Sequence, residues 1–89
     1  MRKFSIEEKL EKKLKKLTKK DKNMYEAIMK KFKEILISSN INHYKNLRKP
    51  LQEYKRVHIR SSFVLIFKFI ESENKIAFCD FAHHDNIYR

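Results

Sequence analysis

The run Phe63-Val64-Leu65-Ile66-Phe67-Lys68-Phe69-Ile70 is apolar at odd and even positions alike. A strand turns successive side chains to opposite faces, so this run must be covered on both sides. It therefore reads as the central strand of a sheet. Its longest apolar stretch, Phe63 to Phe67, is too short to span a bilayer, and the chain start lacks the apolar region of a signal peptide. A cytoplasmic protein with no membrane association is expected.

The flanking segments supply the rest of a small domain. Ser5-Ile6-Glu7-Glu8 has the spacing of a capping box, and Ile6, Leu10, Leu14 and Leu17 recur at helical intervals. A helix is expected from about Ile6 to Leu17. After a polar break at Thr18–Lys22, Asn23 offers a second cap. Tyr25, Ile28, Met29, Phe32, Ile35 and Leu36 then mark one face of a second helix, ending near Ser38. A short linker makes the pair an antiparallel hairpin over about 6–38. A polar loop to Pro50 follows. The sheet is expected over about 54–89: a strand from Tyr54 to Arg60, a turn at Ser61-Ser62, the apolar strand, another over Lys75–Ala82, and a short one over Asn86–Arg89. The order predicts a single α+β domain spanning 1–89, with the helix hairpin on a three- to four-stranded antiparallel sheet.

Charge narrows the function. The 89 residues carry 22 Lys and Arg against 11 Asp and Glu, a formal net charge of +11. Arginines and histidines on a predicted strand, together with helical lysines, suit a polyanion, and a nucleic acid is the natural one. Glycine is absent, so no phosphate-cradling loop of the nucleotide-binding type is available. No nucleotide cofactor is expected. The one cysteine, Cys79, sits in an apolar run and reads as a buried, inert thiol. Four histidines without a ligand-spacing motif give no expected metal site.

Alternation in the first strand places Tyr54, Arg56, His58 and Arg60 on one face and Lys55, Val57 and Ile59 on the other. Arg56 and Arg60 would gather phosphate beside the His58 imidazole. His83 and His84 are adjacent, so at most one of them points at this face. Tyr88 can dock the chain end or stack on a nucleobase. Two histidines can act as base and acid near neutral pH, and guanidinium groups can stabilise a phosphorane. These are the ingredients of metal-free RNA cleavage.

Three blocks carry a family resemblance. They are Lys49-Pro50-Leu51, the run from Tyr54 to Lys68, and the ending His84-Asp85-Asn86-Ile87-Tyr88. In this order and spacing they resemble the RelE/ParE superfamily of toxins, and most of all its RelE and YafQ branch of messenger-RNA interferases. The resemblance implies a ribosome-dependent endoribonuclease that cleaves messenger RNA in the A site by 2′-hydroxyl attack. It implies catalytic roles for His58, His84, Tyr88, Arg56 and Arg60. Lys49, Lys55, Arg48 and Arg89 would bind RNA, with no metal. It also implies a RelB-like antitoxin and a toxin–antitoxin hetero-oligomer, and the apolar strand leaves a second face for such a partner to cover. The family's initial strand is expected to be abbreviated or missing, since only Met1 to Phe4 could supply it. Lys49 stands where the YafQ branch has a histidine, and Ser62 lies near the place of an aspartate. The rival readings are a ParE-type inhibitor of DNA gyrase and a non-catalytic basic nucleic-acid-binding protein.

Overall fold

The computed structural model describes residues 1–87. Two helices, α1 (Glu8–Lys20) and α2 (Lys22–Ile37), pack on a five-stranded sheet. Its strands are β1 (Lys3–Ile6), β2 (Lys45–Asn46), β3 (Lys55–Ile59), β4 (Phe63–Ile70) and β5 (Lys75–His83), in the spatial order β1-β5-β4-β3-β2. The α+β class matches the expectation from sequence. The sheet is larger than expected, and it is mixed, because β1 runs parallel to β5.

The initial strand is thus present, and its pairing explains why the capping box does not form. Ser5 pairs with Ala77 and Ile6 with Phe78. Ile6 also packs against the core, and the Glu7 N–H continues the ladder to the Phe78 carbonyl at 2.9 Å. Ladder bonds and burial outweigh a solvent-side cap, so α1 starts at Glu8 without a side-chain capping bond. Arg2 anchors the strand. Its Nε donates to Asn74 Oδ1 at 3.0 Å, another guanidinium nitrogen bonds the Ser38 carbonyl, and the group lies over the Phe69 ring. The break between the helices shrinks to Asp21, whose carboxylate accepts from the Met24 N–H at 3.1 Å and caps α2. The cap is therefore Asp21 and not Asn23.

Each face of β4 has its own cover. On the helix face, Leu65 and Phe67 meet Leu10, Ile28, Phe32, Ile35, Ile76 and Phe78, all nearly inaccessible. Phe32 stacks on Phe78 with centroids 3.8 Å apart and planes 5° from parallel. On the other face, Val64, Ile66 and Cys79 pack with Leu47 and Tyr54. Exposures of 0%, 6% and 3% for the first three show that the chain's own 47–54 segment already closes much of that face. Lys68 ties this segment down, lying over the Tyr54 ring at 4.8 Å and pairing with Glu53 at 3.6 Å.

Two irregularities shape the sheet. In the β4–β5 ladder Ile66 pairs with Asp80 but Phe67 with Phe78, so Cys79 is an extra residue. This bulge inverts the alternation along β5. Phe78 and Phe81 both face the helices, while Asp80 and Ala82 lie opposite Ile66 and Val64 on the other side. The second irregularity is the β3–β4 hairpin, in which Ile59 pairs with Phe63. A connection this short calls for a residue with positive φ. With no glycine in the chain, Arg60 takes it at φ 59°.

Beyond His83 the chain turns into a short helix, α3 (His84–Ile87); of the short strand expected over Asn86–Arg89, residues 86 and 87 are helical and the other two lie outside the described residues. The His84 N–H donates to the Ser62 carbonyl at 2.9 Å, ending the ladder and starting the helical turn.

Asp80 joins the sheet to α1. Burial pushes its carboxyl up, but the Lys13 hydrogen bond at 2.7 Å, the Phe81 N–H at 2.8 Å and Lys9 at 3.6 Å together hold it below the ordinary value. A depressed folded-state value stabilises above the unfolded value and is lost as pH falls through the folded one. Asp80→Asn is expected to lower stability by about 1 kcal/mol at neutral pH. The gap to the parent should close as acid carries the solution below 3.8, followed by denaturant melts at several pH values. Arg60→Gly is expected to raise stability by about 0.5–1 kcal/mol, because relief of left-handed strain exceeds the entropy that glycine adds to the unfolded chain. A melting temperature unchanged or lower than the parent's would contradict this.

Candidate functional site

A cavity of about 810 Å³ opens on the face of the sheet away from the helices. Arg48, Lys49, Arg56, His58 and His84 line it, with Asn46, Leu47, Pro50, Leu51 and Ser61 completing the wall. Three separate pieces of chain build it. β3 contributes Arg56 and His58, which share a face at a spacing of two. The segment before β3 contributes Arg48 and Lys49. The junction of β5 and α3 contributes His84.

The bulge at Cys79 decides the last of these. Ala82 pairs with Val64, and Val64 pairs with His58, so all three lie on the cavity face. The residue after His83 follows the same parity and brings His84 to that face. Without the extra residue, β5 would present the opposite set.

His84 is held on both sides. Its Nδ1 lies 3.0 Å from the Ser62 carbonyl oxygen, and its Nε2 lies 3.0 Å from Asp85 Oδ1. Both ring nitrogens thus face an oxygen acceptor, which fixes the orientation of the ring. His58 is exposed at the cavity mouth. His83 turns away from the cavity wall. Its ring meets Phe63 edge-on at 5.6 Å and stacks on His84 at 4.6 Å.

Several expected residues stand elsewhere. Arg60 was expected beside Arg56 and His58, but the positive φ takes it off the strand and it does not line the cavity. Lys55 was expected to bind RNA, yet it is 7% exposed and faces the helix side. Its ammonium donates to Asn46 Oδ1 at 3.1 Å and to the Tyr44 carbonyl at 3.3 Å, where it secures β2 and the turn before it. Alternation does put Lys55 on the inner face; a charge there must be satisfied internally. Tyr88 and Arg89 lie outside the described residues. Sequence reasoning missed Asp85 and the Ser62 carbonyl as the groups that hold His84. Asp85 was visible beside the histidine, but a backbone carbonyl from the hairpin 22 residues earlier carries no sequence signal.

Cys79 is buried and held as a neutral thiol. Burial first, and then the neighbouring Glu7, push its thiol up to about 12, and it donates to the Ala77 carbonyl.

No family model matches the chain. It is 54% identical over 80 residues to the candidate toxin RelE4 of Methanocaldococcus jannaschii, covering 90% of this chain and 83% of that protein. It is 43% identical over 85 residues to an uncharacterized protein of Methanosarcina mazei, covering 96% of each. Among solved structures, a metal-bound toxin from Helicobacter pylori superposes with a TM-score of 0.77 at 19% identity, over 98% of this chain and 99% of that one. The RelBE toxin–antitoxin complex of E. coli gives 0.71 at 20% identity, over 93% and 96%. The DinJ–YafQ complex of E. coli gives 0.67 at 16% identity, over the full length of both. These likenesses define the class, a toxin fold of the RelE and YafQ type. Sequence identity goes further: the chain belongs to the RelE family, toxins of toxin–antitoxin systems.

Proposed function

We propose that this RelE-family toxin is a ribosome-dependent endoribonuclease that cleaves messenger RNA in the A site. The observation that carries the reading is the shared cavity: His58 and His84 line one space with Arg56, Arg48 and Lys49. In this scheme His58 removes the proton of the 2′-hydroxyl, which attacks the adjacent phosphorus. His84 donates a proton to the departing 5′-oxygen. The Ser62 carbonyl and Asp85 hold the ring of His84 in place at the cavity wall for this role. Arg56 stabilises the charge that develops on the phosphorane, and Lys49 and Arg48 hold flanking phosphates. The terminal Tyr88 stacks on a base; the family resemblance alone supports that role. Two imidazoles suffice for both proton transfers, so the scheme invokes no metal.

The chain acts in the cytoplasm under control of a RelB-like antitoxin in this reading. No described helix is long and apolar enough to cross a membrane. Relatives solved together with their antitoxins support a hetero-oligomer. The exposed Met1, Phe4 and Ile37 lie at the outer strand of the sheet and at the helix end that Arg2 ties to it. They supply apolar surface for that partner.

The test is cleavage of messenger RNA on programmed ribosomes. His58→Ala and His84→Ala are each expected to lower the rate by about 10²–10⁴-fold, with the double variant no worse than the product of the two. Cleavage by the double variant at the parental rate would end the assignment. Inhibition of DNA gyrase without RNA cleavage would favour the ParE-type mode. Salt-dependent RNA binding to which each basic residue contributes alike, with no cleavage, would favour a non-catalytic binding protein.

A further inference from the structure

His83, His84 and Asp85 offer three ligand atoms that lie within 4.8 Å of one another. The hydrogen bonds around them allow ligation by both rings. A neutral His84 that keeps its proton on Nδ1 donates it to the Ser62 carbonyl oxygen at 3.0 Å. Its Nε2 then directs a lone pair at Asp85 Oδ1, 3.0 Å away. The His83 Nδ1 accepts from the Asp85 N–H at 3.2 Å, so it too is unprotonated, and it lies 3.5 Å from Asp85 Oδ2. In this state a free lone pair of His84 faces the Asp85 carboxylate, and an ion that replaces the Asp85 N–H at His83 Nδ1 gains a second imidazole nitrogen.

The donor set selects the metal. Two nitrogens and one oxygen suit borderline divalent ions such as zinc, copper or nickel. Magnesium and calcium need oxygen donors, and a net charge of +11 opposes a weakly held hard cation. The support of His84 has the form that metal-ligating histidines use, with the second ring nitrogen bonded to a backbone carbonyl. That carbonyl is itself fixed by the His84 N–H at 2.9 Å. The site is partly exposed, so water can fill the remaining coordination positions.

We propose that His83, His84 and Asp85 bind a zinc-class divalent ion at the edge of the cavity, and that the bound ion silences cleavage. Silencing follows because the ion takes the lone pair of His84 Nε2, the atom that would otherwise carry the departing proton. This second half rests on the assignment of His84 as the acid. The binding half does not.

Zinc titrated calorimetrically into the full chain is expected to bind one to one, with magnesium giving no heat. His83→Gln and Asp85→Asn should each weaken binding at least tenfold, while His43→Gln, at a histidine elsewhere, should leave it unchanged. Ring signals of His83 and His84 should shift in the NMR spectrum of the unsubstituted protein, which keeps the test valid if a variant fails to fold. No heat with zinc, equal binding by Asp85→Asn, or shifts confined to His43 and His58 would overturn the site. Zinc should also inhibit cleavage at the midpoint of binding, with activity restored by chelator. His83→Gln, which alters no group of the proposed cleavage, should cleave without metal and resist zinc. Equal zinc sensitivity of that variant would overturn silencing. A metal-free parent that cuts no RNA would defeat the cleavage reading and leave the titration to decide the site.

Discussion

Between Ile66 and Phe67 the β4–β5 ladder slips by one residue, and Cys79 has no opposite number. Side chains on a strand alternate strictly, so one added residue moves everything beyond it to the other face. Phe78 and Phe81 both enter the helix-side core as a result, and Cys79 fills the second core beside Val64 and Ile66. The same slip carries His84 to the face that holds Arg56 and His58. The apolar packing of β5 and the assembly of the cavity therefore depend on one register choice. Burial enforces it, because the regular register would send Phe81 out of the helix-side core.

The strongly basic composition imposes a second constraint. A net charge of +11 on a small domain opposes compaction by self-repulsion. The fold answers it locally. Asp80 gathers Lys13 and Lys9 where α1 crosses the sheet, and Lys55 makes two hydrogen bonds where alternation brings it inside. Arg48, Lys49 and Arg56 remain around the cavity. The lysines that meet the core or its edge are thus bonded within the fold.

The helix hairpin and the central strand were legible because their signal is local periodicity. Leu10, Leu14, Ile28, Phe32 and Ile35 fall on helical spacing, and each packs into the core. The initial strand was underestimated because Lys3-Phe4-Ser5-Ile6 has no strong pattern of its own. Pairing with β5, 72 residues later, and the clamp of Arg2 on Asn74 make it a strand. In the site, Arg56 and His58 followed from simple alternation. Arg60 did not, because a glycine-free hairpin has to bend somewhere and bends there. The hold of Ser62 and Asp85 on His84 also escaped, since it joins a hairpin carbonyl to a helix start.

Sequence alone determined the amphipathic helices, the doubly apolar strand, the basic excess and the residue types near the site, because these depend on spacing and composition within a few residues. Tertiary structure decided the fifth strand and its parallel direction, the burial of Lys55, the departure of Arg60 and the placing of His84. Each of these is settled by a pairing or a bulge between segments far apart in the chain, and no local pattern encodes which partner a backbone group will find.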